Sequence, residues 1–315
     1  MNSRSIKILL TGANGFVGAA TSKALIRSGF DVLHAVRKSA KSGEIAVGAV
    51  DEGTDWNRAL IDCNVVIHCA ARVHMVQDSV PGPLTEYRKV NVAGTLNLAS
   101  QAARAGVNRF LFLSSIKVNG EETQPGDPYL AHDVPAPEDA YGISKAEAEA
   151  GLQLLSLETG MEVVIIRPPL VYGPGVKGNF LSLLRCVARG LPMPLGSATA
   201  NRRSLLGLDN LVDLILTCVD HPKAANQTFL VSDGEDLSTT ELLQRMGKAM
   251  NRPVRLLPVP VSLLVFAAHL LGKKAVAQRL LGSLQVDISK TCELLDWKPP
   301  VSVDEGLRRA AQQRL

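Results

Sequence analysis

Two residues that can move protons, Tyr141 and Lys145, stand four positions apart in the stretch Tyr141-Gly-Ile-Ser-Lys145. On a helix, this spacing places both side chains on one face, one turn apart. An isolated tyrosine has a pKa of ~10, and a neighbouring ammonium favours the phenolate. We therefore expect Lys145 to bring the pKa of Tyr141 toward the neutral range. Chance spacing on a surface helix gives the same pattern, so the prediction depends on what accompanies it.

A glycine-rich stretch near the N-terminus accompanies it. Its glycines follow an apolar run and open a helical pattern. Such glycines allow a tight turn, close approach of a pyrophosphate and close packing of helix on strand, so that an anion meets the amides of the helix N-terminus. A tight strand–helix connection without a ligand is the alternative. The predicted dinucleotide-binding residues are Gly12, Asn14, Gly15, Phe16, Val17 and Gly18.

A serine pair, Ser114 and Ser115, closes an apolar run upstream of the tyrosine. A hydroxyl there can hydrogen-bond to a reacting oxygen while the tyrosine exchanges a proton with it. A glycine turn, then a serine hydroxyl, then a tyrosine phenol followed by a lysine ammonium, in this order along the chain, predict a nicotinamide-dependent enzyme that acts on a carbonyl or an alcohol.

Composition excludes several other classes of protein. The formal net charge of the 315 residues is +4, and the chain has no Lys/Arg run of the kind that binds nucleic acid. The cysteines are odd in number, scattered and without metal-ligand spacing, which predicts buried free thiols, a reducing cytoplasm and no metal site. They are Cys63, Cys69, Cys186, Cys218 and Cys292.

One apolar segment, residues 261–271, precedes Lys273 and Lys274. It is too short to span a bilayer, which takes ~20 apolar residues, and the N-terminus has no signal peptide pattern. We expect a buried helix of a second domain. Peripheral attachment to a membrane, beside the basic flank, is the alternative.

The first half of the chain alternates apolar runs with helical patterns, which predicts βαβ units and a doubly wound parallel sheet with ligands at the carboxyl ends of its strands. We predict strands at 6–10, 31–36, 45–50, 64–68, 109–114 and 162–166, and helices at 15–28, 84–105 and 138–158. After Arg167-Pro-Pro169, loops rich in glycine and proline precede helical segments. The fold class is therefore α/β, a Rossmann domain (1–168 plus about 200–232) interleaved with a smaller, mostly helical substrate domain (about 169–199 and 233–315).

The end of the second predicted strand bears on the cofactor. NAD-binding proteins usually carry an acid there, whereas this chain has Arg37 and Lys38. Two cations suit a 2′-phosphate, which favours NADP(H) over NAD(H); a solvated basic turn is the alternative. Asp51 is a candidate neighbour of the adenine. Small residues after the fourth strand, Cys69, Ala70 and Ala71, let the backbone approach the cofactor, and His68 before them is expected to be structural.

These motifs resemble the extended short-chain dehydrogenase/reductase family, which contains sugar-nucleotide epimerases, dehydratases and reductases. The similarity covers the first half densely and the last third more loosely. The matching stretches are Thr11 to Gly18, His68 to Ala71, Asn91-Val-Ala-Gly-Thr95, Ser114-Ser115, Tyr141 to Lys145, Arg167-Pro168 and Val171-Tyr-Gly-Pro174.

The resemblance implies a role for each matching residue. Tyr141 would exchange the proton with the substrate oxygen, Lys145 would bind the nicotinamide ribose, and Ser115 would hydrogen-bond to the reacting carbonyl. Asn91 and Pro168 would lie at the cofactor, with Asn91 supporting the site. The substrate would be a UDP-sugar. Asn179, followed by Phe180, would grip its diphosphate region, and Arg203 would bind a phosphate unless Arg202 does so.

Three reactions share this scaffold in the family. A dehydratase needs an Asp-Glu pair after the serine, and this chain has Ile116 and Lys117 there. Arg37 and Lys38 favour a reductase that takes NADPH from solution, similar to the bacterial surface-polysaccharide enzymes that reduce the 4-keto group of a UDP-4-keto-6-deoxy-N-acetylhexosamine. A UDP-hexose 4-epimerase with tightly bound NAD is the alternative, and a non-enzymatic NADP-binding sensor is a more remote one. The family also implies a homodimer through the two long helices.

Overall fold

The apolar runs of the first half form one parallel sheet. In the computed structural model, which describes residues 6–38, 41–73 and 83–312, seven strands stand in the order β3-β2-β1-β4-β5-β6-β9. Every neighbouring pair is parallel. The strands are β1 (Lys7–Thr11), β2 (Asp31–Val36), β3 (Glu44–Ala46), β4 (Val65–His68), β5 (Arg109–Leu113), β6 (Glu162–Arg167) and β9 (Thr228–Leu230). The predicted α/β class is confirmed.

Helices cover both faces of this sheet because its strands are apolar on both sides. On one face, Ile8 and Leu10 of β1 share a core with Leu25 of α1 (Phe16–Arg27) and Leu211 of α6 (Leu208–Asp220). On the other, Leu9 packs with α3 (Thr95–Arg104) and α4 (Ala140–Thr159). The site residues of α4 therefore lie over one defined face of β5 and β6.

The helix predicted at 84–105 is not one regular helix. It consists of α2 (Pro83–Tyr87), a π-helical segment (Arg88–Gly94) and α3. Gly94 in this segment runs against the loop after β3, where a Cβ atom would lie 2.9 Å from the Val50 carbonyl oxygen. A π-helical turn often marks a functional site, and this one turns Asn91 into the interior.

A second, three-stranded sheet follows Pro169, where we predicted only loops. It contains β7 (Leu170–Tyr172), β8 (Arg203–Gly207) and β10 (Asp236–Leu237), in the order β10-β8-β7. Strand β8 lies just after the predicted domain boundary at about 200 and pairs with β7 rather than with the main sheet. The chain returns to the main sheet at β9, which pairs with β6.

The smaller unit also contains five helices among the described residues. The capping box that Ser238 and Glu241 predict is present at the start of α7. The five helices are α5 (Gly178–Ala188), α7 (Thr239–Ala249), α8 (Val261–Leu270), α9 (Lys274–Leu281) and α11 (Val303–Ala311). Helix α10 (Ser289–Leu295) is followed by Trp297, which packs against the core of the main sheet.

Tyr172 and Asp233 join the two units. The buried Tyr172 hydroxyl donates to Asp233 Oδ2 at 2.7 Å, and Asp233 Oδ1 accepts from the Gly207 amide and from Asn210 Nδ2, both at 2.7 Å. A carboxylate that is removed from water needs such partners. This cluster holds the ends of β7 and β8 against the start of α6.

Two expectations about apolar residues need correction. The segment at 261–271 is not a buried helix, because α8 has no buried residue. The five cysteines are free, but only Cys63 and Cys218 are fully buried.

Among the described residues, no helix is long and apolar enough to cross a bilayer, and no cluster of potential metal ligands is present.

Candidate active site

The turn between β1 and α1 requires its glycines. Gly12 has a positive φ of 72°, and a Cβ atom on it would lie 2.7 Å from the Ala70 amide nitrogen. A Cβ atom on Gly18 would lie 2.1 Å from the Gly12 carbonyl oxygen, which also accepts from the Gly15 amide at 2.8 Å. Side chains at Gly12 and Gly18 would therefore push the turn away from β4 and α1 away from the turn.

This turn fits the pyrophosphate of a dinucleotide. Helix α1 begins after Gly15 without a side-chain cap, so its first amides are not used by a capping residue. Asn14 is exposed in the turn, Phe16 and Val17 form the first helical positions, and the backbone of Cys69 and Ala70 lies beside Gly12. The predicted residues of the glycine loop are thus brought to one place.

His68 is structural, as expected, but side chains rather than backbone groups hold it. Its Nδ1 is 2.8 Å from Thr11 Oγ1, its Nε2 is 3.0 Å from Thr95 Oγ1, and the ring stacks on Phe112. Complete burial lowers its pKa to about 3. The neutral ring therefore joins β1, β4 and α3 below the cofactor turn.

Asn91 is held by hydrogen bonds inside the protein, as expected for a residue that supports the site. Its Oδ1 accepts from the Arg72 amide at 2.8 Å, and its Nδ2 donates to the Arg72 carbonyl and to Ser144 Oγ, both at 3.0 Å. Both N–H groups of this buried amide thus donate to groups of the protein. Asn91 therefore connects the segment after Ala71 to helix α4, which carries Tyr141 and Lys145.

The residues predicted to lie at the adenosine half of the cofactor differ in how many hydrogen bonds they make within the protein. Arg37 and Lys38 are exposed directly after β2, the strand next to the glycine turn. Asp51 builds its own turn, because Oδ1 accepts from the Gly53 amide at 3.0 Å and its carbonyl accepts from Asn97. The adenine-site prediction for Asp51 therefore competes with a structural role.

Lys145 is held inside the protein at the end of β5. The residue is 1% exposed; its Nζ donates to the Leu113 carbonyl at 2.8 Å and lies 4.2 Å from the centroid of the Phe112 ring. Burial lowers its pKa to about 8, although the Glu149 carboxylate counteracts part of this. An ammonium with a neighbouring carbonyl and an aromatic face is fixed in one position.

The pKa of Tyr141 moves in the direction opposite to our prediction. It is raised, first by burial and then by the Asp139 carboxylate and the Tyr87 phenol, whose ring meets that of Tyr141 edge-on at 6.1 Å. Spacing on the helix did bring Lys145 onto the same face, but its ammonium is turned to the sheet. The protein alone therefore keeps the phenol protonated, which suits a proton donor.

Ser115 lies just beyond the end of β5, two residues after Leu113, whose carbonyl accepts from Lys145. It caps a short 3₁₀ segment (Ile116–Val118), and its Oγ accepts from the Lys117 amide at 3.3 Å. Because that hydrogen bond uses a lone pair, the hydroxyl proton can be donated to a substrate oxygen. The Ile116 amide donates to the Pro168 carbonyl at 3.0 Å, which places Pro168 beside the serine.

A buried ion pair fixes α4 to the sheet, and sequence reasoning missed it. Arg167 at the end of β6 donates through Nε to both oxygens of Glu149, at 3.0 and 3.1 Å, and through Nη1 to Asn119 Oδ1 at 2.9 Å. Ser114 Oγ donates to the same carboxylate. Glu149 could have been found, because Tyr141, Lys145 and Glu149 repeat every four residues on one helical face.

The two candidate substrate residues lie on different elements. Arg203 begins β8, and its Nη1 donates to the Gly282 carbonyl at 3.1 Å. Asn179 is exposed in the first turn of α5, whereas Phe180 is buried against Tyr172. Arg202 is held by the carbonyls of Thr199 and Asn201, which leaves Arg203 as the better candidate.

Comparison with known proteins decides the family. The model of the NAD dependent epimerase/dehydratase family matches residues 8–232. The chain is also 52% identical, over 97% of its own length and 94% of the relative's, to "UDP-glucose 4-epimerase" of Vibrio cholerae. The chain belongs to the NAD-dependent epimerase/dehydratase family.

Solved structures agree with this assignment at the level of fold. A UDP-N-acetylglucosamine 4-epimerase from Bacillus cereus superposes with a TM-score of 0.81 at 20% identity, covering 98% of each chain. A UDP-glucuronic acid 4-epimerase from the same organism, in complex with NAD, gives 0.77 at 20% identity, covering 97% of each chain. The main sheet and its helices thus form the Rossmann-like fold that these structures share.

Removing the Arg167 guanidinium should destabilise this family member severely. Arg167→Met leaves the buried Glu149 carboxylate without its cation, and we expect a loss of about 3–5 kcal/mol in the free energy of unfolding, measured by urea denaturation. Arg88→Met, which breaks the exposed Arg88–Glu147 pair, is the control and should cost far less. If both variants lost the same amount, the buried pair would not fix α4.

Activity should fall on the alkaline side as Lys145 loses its charge. The ammonium is present below its pKa of about 8 and is lost as the pH rises through that value. We therefore expect kcat/KM to fall about tenfold per pH unit above this point. Lys145→Arg stays charged and should abolish this limb, even at reduced activity.

Lys290→Arg provides the matched control, because burial also lowers the pKa of Lys290, which lies outside the site. This variant should keep the wild-type profile. A limb that persisted unchanged in Lys145→Arg would assign the titration to a different group.

Proposed function

We propose that the chain is a 4-epimerase of UDP-hexoses that uses NAD. The observation that carries this proposal is the 52% identity, over nearly the full length, to a protein named UDP-glucose 4-epimerase. It supports the alternative in our sequence analysis better than the reductase, which the comparisons do not single out.

The side chains around Ser115 argue against dehydration. Elimination of water needs a second acid–base pair near the hydroxyl residue. Two carboxylates downstream of it, Glu121 and Asp139, are both paired with Lys117 Nζ, at 2.7 and 2.5 Å. Asp139 also caps α4 by accepting from the Gly142 amide. These carboxylates are thus used to position the helix.

The remaining groups suffice for oxidation and reduction at one carbon. A bound oxidised nicotinamide supplies the hydride acceptor and adds a positive charge to the site. Tyr141 Oη would take the proton of the 4-hydroxyl during oxidation and return it to the same oxygen during reduction, when the hydride would come back to the other face of carbon 4. Ser115 Oγ would donate a hydrogen bond to that oxygen. Lys145 would hold the nicotinamide ribose from its fixed position at the end of β5.

For the substrate we propose a UDP-sugar whose diphosphate meets Arg203. The Gly282 carbonyl occupies only part of its guanidinium, and the fork that remains can bind a phosphate oxygen. Asn179 is proposed as a further contact. We also propose a homodimer formed through α2, α3 and α4, because α4 exposes Leu154 and Leu157.

The fate of the hydride tests the epimerase directly. UDP-glucose deuterated at carbon 4 should give UDP-galactose that keeps the label at carbon 4 without added cofactor, since one hydride leaves and returns. Mass spectrometry and proton NMR follow the label. Tyr141→Phe should lower turnover by about 10²–10⁴-fold and still bind NAD. The control is Tyr129→Phe, which removes a hydroxyl that donates to the Glu122 carbonyl, and this variant should remain active.

NADPH-dependent reduction of a UDP-4-keto-6-deoxy-N-acetylhexosamine is the second candidate. Arg37 and Lys38 favour it, since both are exposed beside the cofactor turn and suit a 2′-phosphate. The protonated phenol of Tyr141 favours it as well, because reduction of a ketone needs a proton donor. Loss of NADPH absorbance with the keto sugar, and no UDP-glucose conversion, would replace the epimerase by this reductase.

The cofactor preference can be measured separately. If the two cations bind a 2′-phosphate, Arg37→Ala/Lys38→Ala should raise the Kd of NADP by about 10- to 100-fold and leave that of NAD unchanged, as expected for lost charge-assisted hydrogen bonds. Calorimetric titration measures both, with Arg27→Ala at the end of α1 as an exposed control. Tighter binding of NAD than of NADP by the unaltered protein would show that the basic turn is only solvated.

A further inference from the structure

Helices α8 and α9 form a hairpin at residues 261–281 that packs on itself. The two helices contact each other, yet neither has a buried residue. Leu264 and Leu281 are partly buried against the core of the smaller unit and attach the hairpin to it. The rest of its surface faces outward.

This outward surface gathers the exposed apolar side chains of the protein. In the part of the chain that the structure describes, seven of fifteen large exposed apolar side chains lie within residues 257–276. Phe266 is 61% exposed and Leu270 is 72% exposed. The others are Leu257, Leu263, Val265, Leu271 and Val276. A patch of this kind marks an interaction site.

The distribution around α8 indicates the kind of partner. Residues 263–268 are apolar without interruption over more than one full helical turn, and only Ser262 and His269 of the ten residues of α8 are polar. A helix that packs on a protein surface usually has one apolar stripe, whereas a helix that is apolar all round lies in a core or in lipid. Helix α8 lies outside the core.

The charge of the segment fits an anionic surface. Residues 251–286 contain no Asp or Glu. The same residues contain five cations, of which Lys273 and Lys274 stand where α8 passes into α9. Long basic side chains beside an apolar face can lie along it and keep their charges at the level of the lipid headgroups. The cations are Arg252, Arg255, Lys273, Lys274 and Arg279.

We propose that the α8–α9 hairpin docks on the surface of an anionic lipid bilayer. Helix α8 has ten residues and is about 15 Å long, half of the ~30 Å hydrocarbon core, so it lies in the interface and does not span it. This docking does not depend on the proposed reaction.

Docking would bring the substrate side of the enzyme close to the membrane. Helix α9 ends at Leu281, and the next carbonyl, that of Gly282, receives Arg203 Nη1 at 3.1 Å. The Leu280 carbonyl accepts from the Thr239 hydroxyl. The hairpin is therefore anchored beside the candidate phosphate-binding arginine, and the bilayer fixes the orientation of that edge.

Flotation with vesicles tests the proposal on the full chain. The protein should float with vesicles that contain phosphatidylglycerol and much less with pure phosphatidylcholine. Phe266→Ser/Leu270→Ser should lower the bound fraction at limiting lipid by about tenfold or more. Lys273→Gln/Lys274→Gln should reduce binding to anionic vesicles toward the level on neutral ones.

The matched control is Ile26→Ser/Ile61→Ser, which removes two apolar side chains of similar exposure outside the hairpin and should leave flotation unchanged. Thermal melts establish that every variant is folded.

Phe266→Trp adds a second readout. Brominated lipids should quench the fluorescence of this tryptophan, whereas the native Trp56 and Trp297 are buried. Absence of flotation by the unaltered protein would overturn the proposal. So would a change from dimer to monomer in Phe266→Ser/Leu270→Ser with flotation intact, which would assign the hairpin to a second copy of the chain.

Discussion

The buried contact between helix α4 and the ends of β5 and β6 is the constraint on which the site depends. Two side chains of α4 meet the sheet there, and a third holds the helix to the π-helical segment. Lys145 reaches the Leu113 carbonyl, Glu149 pairs with Arg167, and Ser144 accepts from the Asn91 amide. Charges removed from water are costly unless they are paired, so each contact admits one arrangement of helix on sheet. The phenol of Tyr141 is aimed by the same arrangement.

The same burial explains why the protein alone does not activate its tyrosine. Withdrawal from water raises the pKa of Tyr141 and lowers that of Lys145, because in both cases it disfavours the charged form. The Asp139 carboxylate also raises the pKa of the phenol. Lys117 pairs with this carboxylate and so limits the negative charge at the start of α4. Ionisation of Tyr141 during a reaction therefore needs positive charge from outside the chain.

The sequence predicted most of the fold and the parts of the site that are local. Glycine spacing, strand alternation and the four-residue repeat on α4 depend on neighbours in the chain, and the structure places them as expected. The supports of His68 were missed because Thr11 and Thr95 come from distant elements. Strands β7 and β8 were missed because each is short, and β8 is completed by pairing with residues more than thirty positions away. For α8, apolar composition predicted a buried helix, and this was wrong because the segment is exposed on the smaller unit.

The strands of one sheet hold the glycine turn after β1, and the Lys145 ammonium and Ser115 at the end of β5. A crystal structure of the protein with NAD and a UDP-hexose would test this most directly. The account predicts Lys145 Nζ within hydrogen-bond distance, about 3.2 Å or less, of a nicotinamide ribose hydroxyl, and Tyr141 Oη equally close to the sugar's 4-oxygen. A nicotinamide bound away from the end of β5, or a sugar whose 4-oxygen lies out of reach of Tyr141, would contradict it.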